Sequence, residues 1–528
     1  MSLELIKLGI LSILAAITTF YACSHKLGLS KGINLVTTLF TSYAVAQIAL
    51  IVFLWFNHAN FPLNLEAMEL TRLEHLQRIV DGLPLYPEPS TDFIALAYNP
   101  LSYFLTVPFT WVFGVNLFSM RLVAILGMLG SGIVIYLAVY QGTKSRWWGL
   151  MAVGLFAAAY QVMDTYLDNA HADSWLILTI LWGCYLVNQN RSQFRNIFGV
   201  LLVVTSFWLK QQGSLFIIGI LLYLLWRDGW AKSWLAAILA LVFAPGLYLL
   251  TPPQLFGSHF HYFTWSVPRQ WVGINLQEII LLPQLIIKSY LPLATFSLIG
   301  FVWQIKNFHL KTSVWYFMLP IASGSAMMAV LTPGSNKNVF IPLGVWLIIT
   351  GVIGLQQISQ KYFSFEKLGL HLFILGLSFI LFIYNPLEVI VSSKTKTTYQ
   401  DFVSYLNSLD APVYAPWIGQ LQDSVQFYPS LHWVALSDLI RTPGTNLHNH
   451  SQIRELLEPV AKPPSKAYLL HNYGLEQDNL LNFLTESYVL DTDLGSRFQP
   501  LQTLPKRYNL LWPRYLYRYA PEEVISNN

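Results

Sequence analysis

The sequence contains few cysteines and few charges, and each shortage excludes a class of function. Cys23 and Cys184 are its two cysteines, both in or beside apolar runs, and they build neither a disulfide framework nor a metal cluster. Charged residues are 11% of the chain and the formal net charge is +4, so nucleic acid is not an expected partner. No glycine-rich loop that would cradle a nucleotide phosphate is found either.

What the chain has in abundance is apolar sequence, 54% of its residues, with 15% aromatic. This composition predicts an α-helical protein that crosses a membrane many times. About twelve spans are expected, at Leu5–Cys23, Ile33–Phe56, Leu117–Tyr140, Trp147–Met163, Trp175–Asn188, Ile197–Leu209, Gly213–Trp226, Trp234–Leu250, Tyr290–Ile305, Val314–Leu331, Val339–Ile358 and Leu368–Val391. Because a basic leader and a cleavage site are lacking, we expect the first to be a retained span rather than a signal peptide. Prolines interrupt Pro100–Val115, which is expected to be re-entrant or to lie on the surface.

Basic residues in short loops predict the orientation. If Pro100–Val115 does not cross, six basic loops share one side, at Lys26/Lys31, Lys144/Arg146, Arg191/Arg195, Arg227/Lys232, Lys306/Lys311 and Lys361/Lys367. Cytoplasmic loops carry such an excess of lysine and arginine. We therefore expect a multi-pass protein of the cell (inner or plasma) membrane, with its acidic loops, active site and C-terminal domain on the extracytoplasmic side.

The longest loop, Asn57–Pro100, contains many acidic residues for a chain with so few charges. Its acidic residues are Glu66, Glu69, Glu74, Asp81, Glu88 and Asp92. Within it, ELTRLEHLQRIV places leucines on one helical face, which predicts a helix lying flat on the membrane. A solvated connector is the plainer interpretation.

Two domains are expected, residues 1–392 with the outer loop 57–116, and a soluble extracytoplasmic α/β domain over 393–528. In the tail, APVYAP, LHWVAL, KAYLLHN, SYVLDTD and YNLLW predict strands, and TYQDFVSYLNSL and NLLNFLTES predict helices. His448 and His450 are metal ligands by type, but two histidines in an exposed loop usually bind nothing specific, and no metal site is predicted.

Ionisable residues cluster in the second outer loop, MDTYLDNAHADSW. It brings Asp164, Asp168, His171 and Asp173 within ten residues of one another at the end of an apolar run. Such groups are costly near hydrocarbon and mark wet cavities or substrate paths. A capping role for Asp173 at the next helix is the alternative, and it explains one aspartate but not the group.

Two further outer positions suit a phosphate. Lys210 ends an apolar run and precedes Gln211 and Gln212, a point charge with amides beside it, although a snorkelling lysine is equally expected there. The turn TPGSNKNVFIP offers backbone N–H groups and Asn338 to a polar ligand, with a plain tight turn as the simpler alternative.

Together these segments resemble bacterial relatives of the protein O-mannosyltransferases and the lipid A aminoarabinose transferase, which are membrane glycosyltransferases of the GT-C fold. The stretches that carry the resemblance are Glu69 with DGLPLYPEPSTDF and AYNPLSYFL, LDNAHADSW, LKQQ, and TPGSNKNVFIP. His171 stands where the family usually has arginine, Ser335 replaces a glycine, and Glu66 competes with Glu69 as the acidic residue of the first loop.

The resemblance implies inverting transfer of a sugar from a polyprenyl-phosphate donor to a hydroxyl acceptor on a lipid, glycan or protein. Glu69 would be the general base, with Glu66 as the alternative, and Asp173 would orient the acceptor or stabilise positive charge on the sugar ring. Lys210, with His171, would neutralise the departing phosphate. The expected substrate-binding residues are Lys210, Gln211, His171, Asp168, Glu66, Tyr98 and Asn338. No cofactor is expected, and the need for a divalent cation is left open.

Two other functions are alternatives. A transporter or lipid-carrier flippase predicts mid-membrane charges and internal repeats, whereas the charges here concentrate at one face. A non-catalytic scaffold that presents the tail predicts that Glu69, Asp173 and Lys210 are each dispensable.

Overall fold

Long apolar helices make up the membrane part of this computed structural model, which describes residues 3–189, 192–271, 279–307, 313–331, 337–362, 367–421, 427–440, 451–502 and 514–521. The helices up to residue 228 are α1 (Leu3–Lys26), α2 (Ser30–Ala59), α3 (Glu69–Val80), α4 (Leu101–Phe104), α5 (Val107–Phe113), α6 (Leu117–Thr143), α7 (Arg146–Ala158), α8 (Asp173–Gln189), α9 (Gln193–Leu209) and α10 (Gly213–Asp228). The longer ones that follow are Trp230–Leu250, Leu281–Lys306, Val314–Val330, Lys337–Lys361 and Leu370–Leu381.

Each predicted span overlaps one of these helices. Among the described residues, seven helices are long and apolar enough to cross a membrane. Others, such as α9 with 17 residues, are shorter than the roughly 20 residues of a perpendicular crossing. The stretch Pro100–Val115 forms the two short helices α4 and α5, and its re-entrant or surface-lying placement stays a prediction.

The helix Lys337–Lys361 lies at the centre of the bundle, where 94% of its most apolar 18-residue stretch is buried. Glycines allow neighbouring helices to come close to it and to each other, as is common between membrane helices. A Cβ atom on Gly354 would lie 2.3 Å from the carbonyl oxygen of Phe296, and one on Gly183 would lie 2.4 Å from that of Gly199. The second contact sets the crossing of α8 and α9, whose adjacent ends carry Asp173 and Lys210.

The leucine face of helix α3 is covered by protein, contrary to the prediction that this face lies flat on the membrane. Its leucines Leu70, Leu73 and Leu76 are buried against protein, in a cluster that includes Met120 of α6 and Phe402 of the tail. The amphipathic pattern was correct, but a folded domain covers the apolar face in place of lipid.

The tail contains a four-stranded sheet of order β1-β2-β4-β3. Its strands are β1 (Val413–Tyr414), β2 (Tyr468–His471), β3 (Tyr488–Asp493) and β4 (Tyr515–Tyr519), with β1 parallel to β2 and the other pairs antiparallel. Its helices are Ser393–Asn407, Trp433–Ile440, Ser451–Leu456, Glu458–Ala461 and Gln499–Gln502, with 3₁₀ turns at Leu475–Gln477 and Asn482–Glu486. A further 3₁₀ turn, Pro386–Glu388, precedes the tail.

Three predicted tail strands are present as β1, β2 and β3, and TYQDFVSYLNSL is helical. LHWVAL, predicted as a strand, begins the helix Trp433–Ile440, whose Ala435, Leu436 and Leu439 are buried in the core between tail and outer loop. Tertiary packing therefore overrides a β-like local sequence. NLLNFLTES forms a 3₁₀ turn rather than an α-helix. YNLLW, His448, His450 and Ser335 lie outside the described residues.

The tail packs directly onto the outer loop that carries α3. Asn64 Nδ2 donates to the Ile418 carbonyl at 3.1 Å, and Ser430 Oγ donates to Glu74 Oε1 at 2.6 Å. Gly419, at φ +76°, brings its backbone against Thr71 so closely that a Cβ atom would lie 2.8 Å from Thr71 Oγ1. The tail thus forms one wall around the acidic segment.

Candidate functional site

Asp173, the first residue of α8, joins three separate segments of the chain. Its Oδ1 accepts from Lys210 Nζ at 2.9 Å, and its Oδ2 accepts from Asn338 Nδ2 at 3.0 Å. Asp173 is fully buried, and the Lys210 side chain is 12% exposed. The predicted Asp173, Lys210 and Asn338 are therefore in direct contact, although they come from three separate parts of the chain.

His171 connects Asp173 with the first outer loop. Its Nδ1 contacts Asp173 Oδ2, and its ring lies edge-on to Tyr98 and Tyr166, with centroids 5.2 Å away in each case. Burial lowers the pKa of His171 to about 4, although the Asp173 carboxylate opposes this shift. At neutral pH the ring is uncharged, so His171 supplies a polar contact to the site but no positive charge.

Glu69 is held by a buried ion pair. Arg121, near the start of an otherwise apolar α6, donates to Glu69 through Nε at 2.9 Å and Nη2 at 2.6 Å. The Leu65 and Ala170 backbone N–H groups donate to the same carboxylate at 2.6 and 2.7 Å. Burial alone would raise the pKa of Glu69, but the Arg121 charge and these donors hold it below its usual value. All the acceptor positions of Glu69 are thus used to join α3 to α6 and to the second loop.

Glu66 has a different environment three residues earlier. It accepts from the Met68 N–H at 3.0 Å and from Tyr166 Oη at 3.4 Å. Burial, with the negative charge of Glu69 next in importance, raises the pKa of Glu66 to about 8. Two carboxyl groups with pKa values moved in opposite directions are typical of acid–base sites.

Arg72 lies on α3, three residues after Glu69. Its Nε donates to the Ala170 carbonyl at 2.6 Å and its Nη2 to Ser102 Oγ at 2.9 Å. The guanidinium carbon lies 4.5 Å from the Tyr103 ring centre and 5.5 Å from that of Tyr98. The predicted Tyr98 is thus placed between the Arg72 cation and the His171 ring.

Two predicted residues lie in other networks. Asp168 accepts from Tyr160 Oη at 2.7 Å and contacts His58 Nδ1 at 2.8 Å, so it ties the second loop to the end of α2. Gln211 Nε2 donates to the carbonyls of Ala97 and Thr264, each at 3.1 Å. These contacts join loops that are distant in the chain, and they occupy the side chains of both residues.

Sequence reasoning missed Arg121 and Arg72. A signal for Arg121 was available, because it is a lone charge within the apolar run LFSMRLVAILG, and intramembrane charges usually have a partner or a role. Arg72 gave no such signal, since α3 carries other charged residues, Glu69, Glu74 and Arg78. No group of three or more His, Cys, Asp or Glu side chains suited to a metal is found in the part of the chain that the structure describes.

The structure is a bundle of apolar helices in which carboxylates, a lysine and a histidine lie together at one end. Comparisons with known proteins indicate the same kind of helical membrane protein. A family model described as dolichyl-phosphate-mannose-protein mannosyltransferase matches residues 98–255. That stretch contains His171, Asp173 and Lys210, but not Glu66 or Glu69. No curated protein matches the chain.

The solved structure of ArnT from Cupriavidus metallidurans in the apo state is similar across 91% of this chain and 98% of its own, with 14% identity and a TM-score of 0.53. The structure of ArnT bound to undecaprenyl phosphate matches 91% of this chain and 99% of its own, with 13% identity and a TM-score of 0.49. The structure of the Archaeoglobus fulgidus oligosaccharyltransferase in complex with Zn and sulfate matches 89% of this chain and 70% of its own, with 12% identity and a TM-score of 0.48.

The chain is therefore a mostly helical membrane protein with a small sheet, and it has an ArnT-like GT-C fold. The resemblance to GT-C membrane glycosyltransferases that the sequence predicted is confirmed.

Proposed function

We propose that this protein transfers a sugar from a polyprenyl-phosphate donor to a hydroxyl group of an acceptor, with inversion, at the extracytoplasmic face of the membrane. The observation that carries the proposal is the convergence of Glu66, His171, Asp173 and Lys210, from three outer segments, at one end of an apolar bundle. A donor with a long hydrocarbon tail needs such a bundle beside polar groups that handle its head.

In this reaction the acceptor oxygen attacks the anomeric carbon, and the bond from that carbon to the phosphate oxygen breaks. The acceptor proton passes to a base, and the polyprenyl phosphate leaves with the bonding electron pair. We assign the base to Glu66 rather than Glu69. Glu69 is saturated by Arg121 and backbone donors, whereas a buried carboxyl with a pKa of about 8 is well tuned to accept a proton.

Asp173 has both oxygens engaged with Lys210, Asn338 and His171, so its role in the proposal is to position these groups. Lys210 is the most exposed member of the group and faces the departing phosphate. Such preorganised charges stabilise a transition state because they need no rearrangement when charge develops.

The test is transfer of radiolabelled sugar from a polyprenyl-phosphate sugar in membranes that contain the wild type, Glu66→Gln or Asp173→Asn at matched expression. We expect both variants to lose at least about 100-fold in rate. Glu476→Gln in the exposed 3₁₀ turn of the tail is the control and should match the wild type. Wild-type rates in both site variants would overturn the proposal, and sugar-independent movement of the lipid would favour a flippase.

A further inference from the structure

A cavity in the tail opens to solvent between a helix and a turn. Its volume is about 330 Å³, which is within the range of small-molecule sites, about 300–1,000 Å³. One wall is the second half of the helix Ser393–Asn407, and the other is the turn before the helix Gln499–Gln502. None of the lining residues belongs to the group around Asp173, so the cavity is a separate site. They are Asp401, Ser404, Tyr405, Ser408, Arg497 and Phe498.

The helix Ser393–Asn407 connects this cavity with the outer loop. Its lining residues stand three, four and seven positions after Asp401, a spacing that places them on one side of a helix. On the opposite side, the Tyr399 ring lies edge-on to Phe61 of the first outer loop, with ring centres 6.0 Å apart. A ligand in the cavity is therefore bound one helix away from the loop that carries Glu66.

Two opposite charges line the cavity without pairing with each other. The Arg497 guanidinium carbon lies 4.4 Å from the Tyr405 ring centre and 5.1 Å from that of Phe498, so the two rings hold the cation in place. Within the described parts of the chain, neither the Arg497 nor the Asp401 side chain has an ion pair or a hydrogen bond. Both residues are exposed, so their polar groups are available to a ligand.

This lining selects a ligand by its charge and by its hydrogen bonds. An anion would be repelled by the Asp401 carboxylate and a cation by the Arg497 guanidinium. An apolar ligand would leave these groups without partners. A neutral ligand with many hydroxyl groups fits them all, because a carboxylate accepts from hydroxyls, a guanidinium donates to them, and the Ser404 hydroxyl does both. The Phe498 ring adds apolar surface for the C–H groups of such a ligand.

We propose that the tail cavity binds a sugar unit of a saccharide, at a site separate from the one where transfer takes place. The tail then holds a glycan on the domain that packs against the catalytic loop. We identify this glycan with the acceptor, and only that identification rests on the proposed function, because binding to the cavity is measured without any donor.

The experiment titrates the methyl glycosides of glucose, mannose, galactose and N-acetylglucosamine against the full chain by saturation-transfer difference NMR. Nanodiscs hold the protein, since many detergents carry a sugar head group. We expect at least one glycoside to bind the wild type, and Asp401→Ala and Arg497→Ala each to weaken its binding about tenfold or more, because each removes hydrogen bonds to a charged group. Both positions are exposed, so both variants should fold normally.

Glu455→Ala is the matched control, since Glu455 is an exposed acid on another helix of the tail, Ser451–Leu456. Its binding of glycosides should equal that of the wild type. Glycine betaine and inorganic phosphate are the probes for a zwitterionic ligand and for an anion. The inference would be overturned if no glycoside bound the wild type, if both cavity variants bound glycosides as the wild type does, or if only betaine or phosphate bound.

The glycoside that binds is then offered as the acceptor, together with a radiolabelled polyprenyl-phosphate sugar. Asp401→Ala should raise the KM for this glycoside about tenfold, in line with its weaker binding, whereas Glu455→Ala should not. An unchanged KM would reject the identification with the acceptor. If the wild type transfers no sugar but still binds the glycoside through Asp401, the proposed function is rejected and the saccharide site stands.

Discussion

Glu66 and Glu69 lie three residues apart, and their carboxyl groups are in opposite electrostatic states. Glu69 is ionised and paired with Arg121 at 2.6 Å, while burial and the Glu69 charge raise the pKa of Glu66 to about 8. One carboxyl therefore holds the outer loop in place, and the other is able to exchange a proton near neutral pH.

The first prediction concerns stability. Glu69→Gln leaves Arg121 buried without its counter-charge and should lower the free energy of unfolding by about 3–5 kcal/mol. Glu66→Gln replaces a largely uncharged carboxyl with a neutral amide and should change stability by less than about 1 kcal/mol. Thermal unfolding of the two purified variants in one detergent makes the comparison. Equal destabilisation by both substitutions would contradict the assignment of roles.

The second prediction is the pH dependence of transfer. A base must be deprotonated before it acts, and the pKa of Glu66 is about 8 in the free protein, so kcat/KM should rise about tenfold per pH unit below 8 and level off above it. Initial rates between pH 6 and 9.5 give the profile, with protein stability checked at each pH. A flat profile, or the same rise in the residual activity of Glu66→Gln, would show that another group accepts the proton.

The third prediction separates the charge of Lys210 from its bulk. Under the proposed mechanism, in which Lys210 faces the leaving group, Lys210→Met should lower kcat by about 10²–10³-fold because a preorganised cation is lost, and Lys210→Arg should retain part of the rate. Lys232→Met serves as the control, since Lys232 is exposed at the start of the helix Trp230–Leu250. Steady-state kinetics with a polyprenyl-phosphate sugar measure the effect. A Lys210→Met enzyme with the wild-type kcat would remove Lys210 from the reaction.

The sequence predicts features that are set by neighbouring residues better than features that are set by contacts between residues distant in the chain. Apolar runs such as Leu117–Tyr140 predict helices well, because lipid requires every backbone group to be paired within the helix. Asp173 and Lys210 were found because charges at the ends of such runs are conspicuous. The sequence could not predict that the carboxyl groups of Glu66 and Glu69 have opposite pKa shifts, because Arg121, which pairs with Glu69, lies 52 residues away from it in the chain. Trp433 begins a helix rather than a strand for the same reason, since the core between tail and loop decides its conformation.

The fourth prediction concerns the contact between the tail and α3. Burial raises the pKa of Glu74 to about 7 from its ordinary 4.5, so between these values the folded state binds more protons than the unfolded state. Stability from this group therefore falls as pH rises from about 4.5 to 7. Glu74→Gln keeps an acceptor for Ser430 Oγ and removes the ionisation, so it should raise Tm by about 1–3 °C at pH 8 and leave it unchanged at pH 4.5.

Differential scanning fluorimetry over that pH range tests this prediction, with the exposed Glu476→Gln as the matched control. The difference in Tm between Glu74→Gln and the wild type should grow with pH, whereas the control should show no trend. A difference that is constant across the range would mean that Glu74 is ionised in the folded state throughout.

The last prediction tests whether helix packing sets the geometry of the site. Asp173 begins α8 and Lys210 follows the end of α9, so their 2.9 Å contact depends on how these helices cross. A Cβ atom at Gly183 of α8 would lie 2.4 Å from the Gly199 carbonyl oxygen of α9, and backbone atoms cannot move aside as a side chain does. Gly183→Ala should therefore destabilise the protein by about 1–3 kcal/mol and lower transfer as well, because the helices must separate. Gly324→Ala is the control, since nothing lies within 4 Å of a Cβ atom there and alanine favours the helix. If Gly183→Ala lowers stability but transfers sugar at the wild-type rate, the contact between Asp173 and Lys210 is set by the outer loops rather than by the crossing of α8 and α9.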